Sequence, residues 1–576
     1  MAIFPAEVAI RRLPELAARM PALSAVPQAR RRRLTHRAAP LAGIAFVALV
    51  VGIVAGANYV APERKAADRF ARAWQRGDYR AMYAALDDRS KAAVPRASFE
   101  QAYRDAATMA TLLSLRFGRA HDPSGGTVTV PVRVRTRIFG SLSTAARLPF
   151  HGERLAWTPS LAFPGLRRGE TLSRRTQLPP RAAILAANGK ALARGPDRAS
   201  EIGASTDLVG SVDVPAASAR GFYRALGYPD DAKVGISGLE RALEGQLAGT
   251  PGGTLVAGGR VLATSVPRVA PDARTTIEPR IEAAAASALG GRLGGIAVMR
   301  PASGEVLALA GIALDGLQPP GSTFKIITTT AALEDHKVKL TDTFPVETAA
   351  VLSGVSLSNA SGESCGGTFV NSFAESCNSV FAPLGVKVGA ARLVETARRY
   401  GFDEPPSIPG AAESSIPPAD EVGDDLAVGS TAIGQGKVLA TTLQMTSIAA
   451  TIGQGGLRAQ PTLLQAQRPR VTRVTSPSVA RTIRGLMVQV VRSGTGTNAS
   501  LPGVTVAGKT GTAELGGPPG ADEDPNNSDA WFVAFAPAQR PRVAVGVLVV
   551  KAGAGGDFAA PLAAQVLPTA LARARG

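Results

Sequence analysis

Residues 38–62 carry no charged side chain, and their centre reads Leu41-Ala-Gly-Ile-Ala-Phe-Val-Ala-Leu-Val-Val-Gly-Ile-Val-Ala-Gly-Ala57. No other stretch limits the architecture so severely. An uncharged run of this length suits a helix that spans a bilayer, where every backbone polar group must find its partner within the segment. Residues 30–33 are all arginine and Arg37 follows them, a basic flank of the kind retained on the cytoplasmic side. The expectation is a single-pass anchor over residues 38–62 in the cell membrane, a cytoplasmic Arg- and Pro-rich tail over 1–37, and everything after Glu63 extracytoplasmic. A cleaved signal peptide competes, since Ala55-Gly56-Ala57 resembles a cleavage site; the apolar run exceeds the ~7 to 15 residues such peptides use.

The remainder is too long for one core, because 576 residues divide naturally into about three or four domains. A net charge of +19 is compatible with nucleic acid or an anionic polymer, but much of it is arginine scattered along the chain, as on a solvated basic surface. No zinc-ligand spacing, Walker loop or aromatic-rich basic module accompanies it, so nucleic acid has no argument. Four histidines and two cysteines offer little material for a metal site, and no cofactor is implied.

Residues 63–165 read as a small α+β domain. Ala66, Phe70, Ala73 and Trp74 form one helical stripe and Tyr79, Met82, Tyr83 and Leu86 another, while Val128, Val130, Val132 and Val134 alternate as in a strand. These aromatics read as core. Residues 166–275 are a looser linker or pedestal, with a strand pair turning at Asn188-Gly189 and a helix over 235–247. From 276 to 576 a larger domain begins: an Ala-rich helix, then a hairpin around Pro301-Ala-Ser-Gly304, which delivers the chain to Pro319-Pro-Gly-Ser-Thr-Phe-Lys325.

In that last segment Pro and Gly stop what precedes, and Ser322 falls at or near a helix N-terminus with Lys325 three residues on, on the same face. A serine hydroxyl is a poor nucleophile and lysine a poor base unless burial or a neighbouring cation lowers its pKa. Ser-x-x-Lys alone is a weak pattern. Two further signals follow in order, Ser376-Cys377-Asn378 and Lys509-Thr510-Gly511-Thr512, and each of the three occurs once in the chain. This ordered set is the one known from penicillin-binding proteins and class A β-lactamases. The nearest histidine, His336, lies eleven residues past Lys325, about 16 Å away along a continuous helix, so a histidine base is disfavoured.

The chain resembles a class B penicillin-binding protein over nearly all of residues 40–576. Thr275-Thr-Ile-Glu-Pro279, Gly434-Gln435-Gly436 and Ala530-Trp-Phe-Val-Ala-Phe-Ala-Pro537 look like family stretches around the motifs. Trp157-Thr-Pro159 and Gly238-Leu-Glu240 are similar to the version with an extra cone-shaped domain after the anchor. The resemblance implies a multidomain α+β fold: transmembrane helix, cone-shaped domain, pedestal, and a C-terminal β-lactamase/transpeptidase-like domain built on an antiparallel sheet flanked by helices. It implies a D,D-transpeptidase acting on D-Ala-D-Ala stem peptides of peptidoglycan and inhibited by β-lactams. Ser322 would be the nucleophile, Lys325 its base and Ser376 a proton relay; Asn378, Lys509, Thr510, Gly511 and Thr512 would bind substrate. Gln435 reads equally well as an ordinary loop amide.

Cys365 and Cys377 lie outside the membrane under this orientation, where they can pair or remain two small buried residues. Where the family often carries Arg-Gly-x-Ile-x-Asp-Arg-Asn-Gly, this chain has Arg181-Ala-Ala-Ile-Leu-Ala-Ala-Asn-Gly189, which puts the usual packing of the pedestal in doubt. Two other functions stay open: a β-lactamase or β-lactam sensor with the same acylating apparatus, and a non-catalytic scaffold of a wall-synthesis complex. No Glu-x-x-x-Asn element lies between Asn378 and Lys509 to place a hydrolytic water. Expected partners are a polytopic glycosyltransferase and division or elongation proteins, with residues 63–275 as the docking region.

Overall fold

The apolar run forms helix α1 (Ala39–Ala57), and the side chains of residues 41–51 along it are exposed. In this computed structural model residues 39–57, 60–202, 206–516 and 527–573 are described, so the expected cytoplasmic tail lies outside them. Among the described residues no helix is long and apolar enough to cross a membrane.

The chain forms two compact units. Of the described residues, the first combines those within 1–99, 116–132 and 145–165, and the second those within 100–115, 133–144 and 166–576. In the first, α2 (Pro62–Arg76) starts on a proline, which has no N–H to leave unsatisfied, and stops at Gly77, whose φ of +70° suits a residue without a Cβ. Its buried Phe70 and Trp74 continue into Phe117, and Tyr83, Phe99 and Trp157 stack as a second aromatic group. These aromatics are core.

Residues 166–275, the expected pedestal, belong to the second unit. One three-stranded sheet comprises β1 (Leu172–Gln177), β4 (Gly252–Ala257) and β5 (Arg260–Ser265), with β4 central; the other comprises β2 (Ile184–Leu185), β3 (Ala191–Ala193) and β6 (Ala273–Arg274), with β2 central. Asn188-Gly189 makes the expected turn between β2 and β3, with Gly189 at φ +82°. The helix expected over 235–247 is two short ones, Gly238–Ala242 and Glu244–Leu247.

The altered Arg181 segment still anchors the pedestal. Arg181 Nε donates to Glu240 at 2.6 Å and its Nη2 pairs with Glu244 at 2.8 Å, while Arg198 Nε reaches the other oxygen of Glu240 at 2.6 Å. Ala182, Ile184 and Leu239 share one apolar cluster with Leu309, Leu443 and Leu463 of the C-terminal domain. A guanidinium from outside the altered segment thus completes the shell around Glu240.

The C-terminal domain is a five-stranded antiparallel sheet. Its strands are β7 (Gly294–Met299), β8 (Val306–Gly311), β9 (Ala507–Glu514), β10 (Ser528–Ala536) and β11 (Val543–Val549), in the order β8-β7-β11-β10-β9. Every residue of β10 is buried, so both faces must be covered. Ala530, Phe532 and Ala534 meet α3 (Pro279–Leu289) and the C-terminal helix Gly555–Arg573 on one side. Trp531, Val533 and Phe535 lie on the other side, in the core shared with α4 (Lys325–Glu334) and helix Thr442–Gly453. The period-2 alternation of β10 divides one apolar strand between two cores, and β9 is left at the sheet edge.

Candidate active site

Ser322 sits on a 3-10 turn, Gly321–Phe324, that runs directly into α4. The turn is tighter than the helix start that the spacing predicts, and Ser322 keeps its place ahead of α4. Thr323 fixes the turn by donating its hydroxyl to Pro320 O at 2.6 Å. A Cβ on Gly321, whose φ is +51°, would stand 2.6 Å from Thr512 O, and one on Gly511 would stand 2.9 Å from Pro320 O. Glycine on both sides lets the serine turn and β9 press backbone to backbone. Gly321 N also donates to Gly434 O at 2.9 Å, so the Gly-Gln-Gly stretch buttresses the same turn.

Lys325 is fully buried. Its Nζ donates to Ser376 O at 2.6 Å and to Asn378 Oδ1 at 2.7 Å, with Ser376 Oγ at 3.2 Å. Lys509, equally buried on the edge strand, donates to that same Ser376 Oγ at 2.8 Å and to Thr510 O at 3.2 Å. Ser376 Oγ therefore stands between two amines. It joins α5 (Phe369–Ala374) to α6 (Asn378–Val388) and holds a left-handed φ of +62°, a conformation that costs a non-glycine residue about 1 kcal/mol or more.

Burial pushes the pKa of Lys325 well below the ordinary lysine range, and the charge of Lys509 adds to the effect. Burial lowers Lys509 to about 7, with Glu375 pulling it back up. Two obligatory acceptors, Ser376 O and Asn378 Oδ1, use both hydrogens of a neutral Lys325 amine, which leaves its lone pair to accept from Ser376 Oγ at 3.2 Å. An amine in that state can take a proton.

The sequence-derived residues divide by what their side chains meet. Lys325, Ser376, Asn378 and Lys509 meet through their side chains, and the Gly321–Phe324 turn that carries Ser322 packs backbone to backbone on Gly511 and Thr512. The two threonine hydroxyls are engaged elsewhere: Thr510 Oγ1 lies 2.5 Å from Thr495 Oγ1, and Thr512 Oγ1 accepts from Gly555 N at 3.3 Å. Cys365 and Cys377 form a disulfide, Cα–Cα 5.4 Å, joining strand Cys365–Thr368 to the residue ahead of α6. His336 lies just past the C-terminal end of α4 and is exposed. Among the described residues no group of His, Cys, Asp and Glu is placed to hold a metal.

Three contributors were not read from the sequence. Ser358 O accepts from Asn378 Nδ2 at 2.7 Å, and buried Asn359 accepts from Ser379 N at 2.9 Å while donating to Glu347 O and Glu363 O. Together they orient the Asn378 amide so that its oxygen meets Lys325. Thr495 is the third. An asparagine or threonine in a Ser- and Gly-rich loop gives no pattern that sets it apart.

A serine at a helix start, a buried lysine one turn on, a second serine between two lysines and a free strand edge together define an active-serine acyl-transfer domain of the penicillin-recognising class. The penicillin-binding protein transpeptidase domain family matches residues 294–568. The chain is 33% identical to the peptidoglycan D,D-transpeptidase PbpA of Mycolicibacterium smegmatis, over 61% of this chain and 81% of that protein. It is 36% identical to PbpA of Mycobacterium tuberculosis, over 54% of this chain and 65% of that protein. The solved structure of penicillin-binding protein A from M. tuberculosis, also determined as a ceftriaxone acyl-enzyme complex, covers 68% of this chain and 99% of its own at 29% identity and a TM-score of 0.55. The chain belongs to the penicillin-binding proteins, class B.

Proposed function

We propose that Ser322 is the residue through which this chain acts as a peptidoglycan D,D-transpeptidase, acylated in turn by stem peptides and by β-lactams. Transpeptidation is the activity of the family to which the chain belongs; the residue roles rest on chemistry. Lys325 takes the hydroxyl proton as Ser322 Oγ attacks the penultimate D-Ala carbonyl. The backbone N–H groups of Ser322 and Thr512, on segments pressed together at Gly321, hold the developing oxyanion, a contribution of about 3 kcal/mol per donor. The C–N bond then breaks, Ser376 passes the proton to the departing D-Ala amine, and an ester on Ser322 awaits the acceptor amine. Lys509 and the Thr510–Thr512 segment receive the substrate carboxylate, and Asn378 the substrate amide.

The observation that carries this reading is the pair of fully buried lysines sharing Ser376 Oγ. Fluorescent penicillin added to the full chain tests it. Labelling should be lost in Ser322→Ala, its mass should map to the peptide holding Ser322, and release should take hours. Release within seconds would make the chain a β-lactamase, and no labelling would make it a scaffold.

The same reading takes residues 38–62 as a single-pass anchor that leaves the catalytic domain extracytoplasmic, supported by the uncharged run, the arginines before it and the helix over Ala39–Ala57. Residues 63–165 serve as the cone-shaped domain and 166–275 as the pedestal, and together they dock a polytopic glycosyltransferase or other division or elongation proteins. Extraction of the full chain from membranes by alkaline carbonate would overturn the anchor.

A further inference from the structure

The Lys509–Ser376 contact alone cannot explain how the two segments it joins keep their spacing, because it ends on a flexible four-carbon side chain. A second, shorter link joins the same segments. Thr495 follows α7 (Pro477–Ser493) in the turn Gly494-Thr495-Gly496. Its N–H donates to Ala374 O at 3.2 Å and its Oγ1 to the same oxygen at 3.3 Å. On its other side Thr495 Oγ1 lies 2.5 Å from the hydroxyl of Thr510, the residue after Lys509.

The directions of these hydrogen bonds follow from the groups involved. A carbonyl only accepts, so the Thr495 hydrogen points at Ala374, and the short contact with Thr510 is made by the Thr510 hydrogen. The chain runs Thr510 O–H to Thr495 O–H to Ala374 C=O. Ala374 ends α5 two residues before Ser376, which already holds a left-handed φ and would relax if that helix end moved.

There is little slack in the turn. A Cβ on Gly494 would stand 2.3 Å from Ala374 O, and one on Gly556 would stand 2.3 Å from Thr495 O. The threonine is pressed between the end of α5, just ahead of Ser376, and the start of the C-terminal helix, with its hydroxyl toward the edge strand.

We infer that Thr495 is a positioning residue for the reaction, a hydroxyl strut that sets the distance between the Ser376 loop and the Lys509 strand. The inference rests on Ser322 being the acylated residue. Its consequence is kinetic: a loosened strut slows the chemical step and leaves the encounter with ligand nearly unchanged, since Thr495 acts through Ser376 and Lys509.

The test is the acylation of the full chain by fluorescent penicillin, resolved into the dissociation constant of the initial complex and the rate constant of acylation. Thr495→Val, which keeps the shape and removes the hydroxyl with both of its hydrogen bonds, should slow acylation roughly tenfold, equivalent to about 1.4 kcal/mol of barrier, with the dissociation constant changed less than twofold. Thr495→Ser should restore the rate to within about twofold, given the same donor and acceptor. Thr510→Val should slow acylation too, and adding Thr495→Val to it should cost little more, because both break one link. A wild-type rate in Thr495→Val, failure of the serine to rescue, or an effect confined to the dissociation constant would each overturn the inference. If the wild type itself is not labelled, or Ser322→Ala still is, the underlying reading fails instead.

Discussion

Two clusters in the second unit bury ionisable side chains completely and differ in the sign of their neighbours. In the pedestal, Glu240 is fully buried between Arg181 and Arg198, each at 2.6 Å. Around Ser376, Lys325 and Lys509 are as deeply buried, but they hold on to neutral oxygens, and burial, with the charge of Lys509 added, depresses the pKa of Lys325. Opposite charges offset much of the cost of leaving water, so the Arg181–Glu240–Arg198 cluster serves to hold a fold. Like charges add to that cost, so the catalytic cluster sheds a proton. Depth of burial is the same; the partner decides whether it produces structure or a base.

The largest expected effect breaks the catalytic half of this contrast. Lys325→Met removes the proton acceptor and should slow penicillin acylation by roughly 10²- to 10⁴-fold, followed by fluorescent labelling over hours. The melting temperature should hold or rise, because an apolar chain replaces a buried amine. A fall of many degrees would mean that the lysine is structural.

Glu240→Gln breaks the other half. Two guanidinium groups lose their carboxylate in a buried site, which should cost about 3 to 5 kcal/mol in a denaturant melt. Acylation per folded molecule should stay within about twofold of the wild type if pedestal stability and chemistry are separate.

The disulfide lies between these extremes, since it braces the catalytic loop without taking part in the reaction. With its cysteines 12 positions apart, Cys365→Ser should lose about 3 kcal/mol of stability in the chain-entropy model. It should also slow labelling by loosening Ser376 and Asn378. An unchanged labelling rate would restrict the bridge to stability.

The smallest effect concerns a buried carboxylate with neither kind of charged neighbour. Glu282 accepts from Leu309 N at 2.8 Å, and burial raises its pKa to about 8. An unfolded glutamate ionises near 4.3, so between that value and about 8 the folded state holds the extra proton and stability falls as pH rises. Glu282→Gln should therefore flatten the decline, raising the melting temperature by a few degrees at pH 8 relative to wild type and by less at pH 5. Equal shifts at both pH values would contradict the assignment.

The catalytic half of this contrast was legible in the sequence because its chemistry requires particular side chains at particular spacings. Ser322 and Lys325 need one helical turn between them, and Lys509 is marked by the Lys-Thr-Gly-Thr run that follows the other two motifs in order. The supports were not legible. Ser358 acts through a backbone carbonyl that any residue supplies, and Thr495 through a hydroxyl whose partners lie 121 and 15 residues away. Arg198 illustrates the same point in the pedestal. The altered motif at Arg181 suggested lost packing, and only the fold shows a guanidinium arriving from 42 residues before Glu240.

The contrast predicts most directly how acylation of Ser322 depends on pH. If burial beside a second amine leaves Lys325 neutral, the rate of penicillin labelling should already be high near neutrality and should fall above about 7, where Lys509 loses the charge that holds the ligand carboxylate. A rate that climbs steadily to about pH 10, the range of an ordinary lysine, would contradict the account.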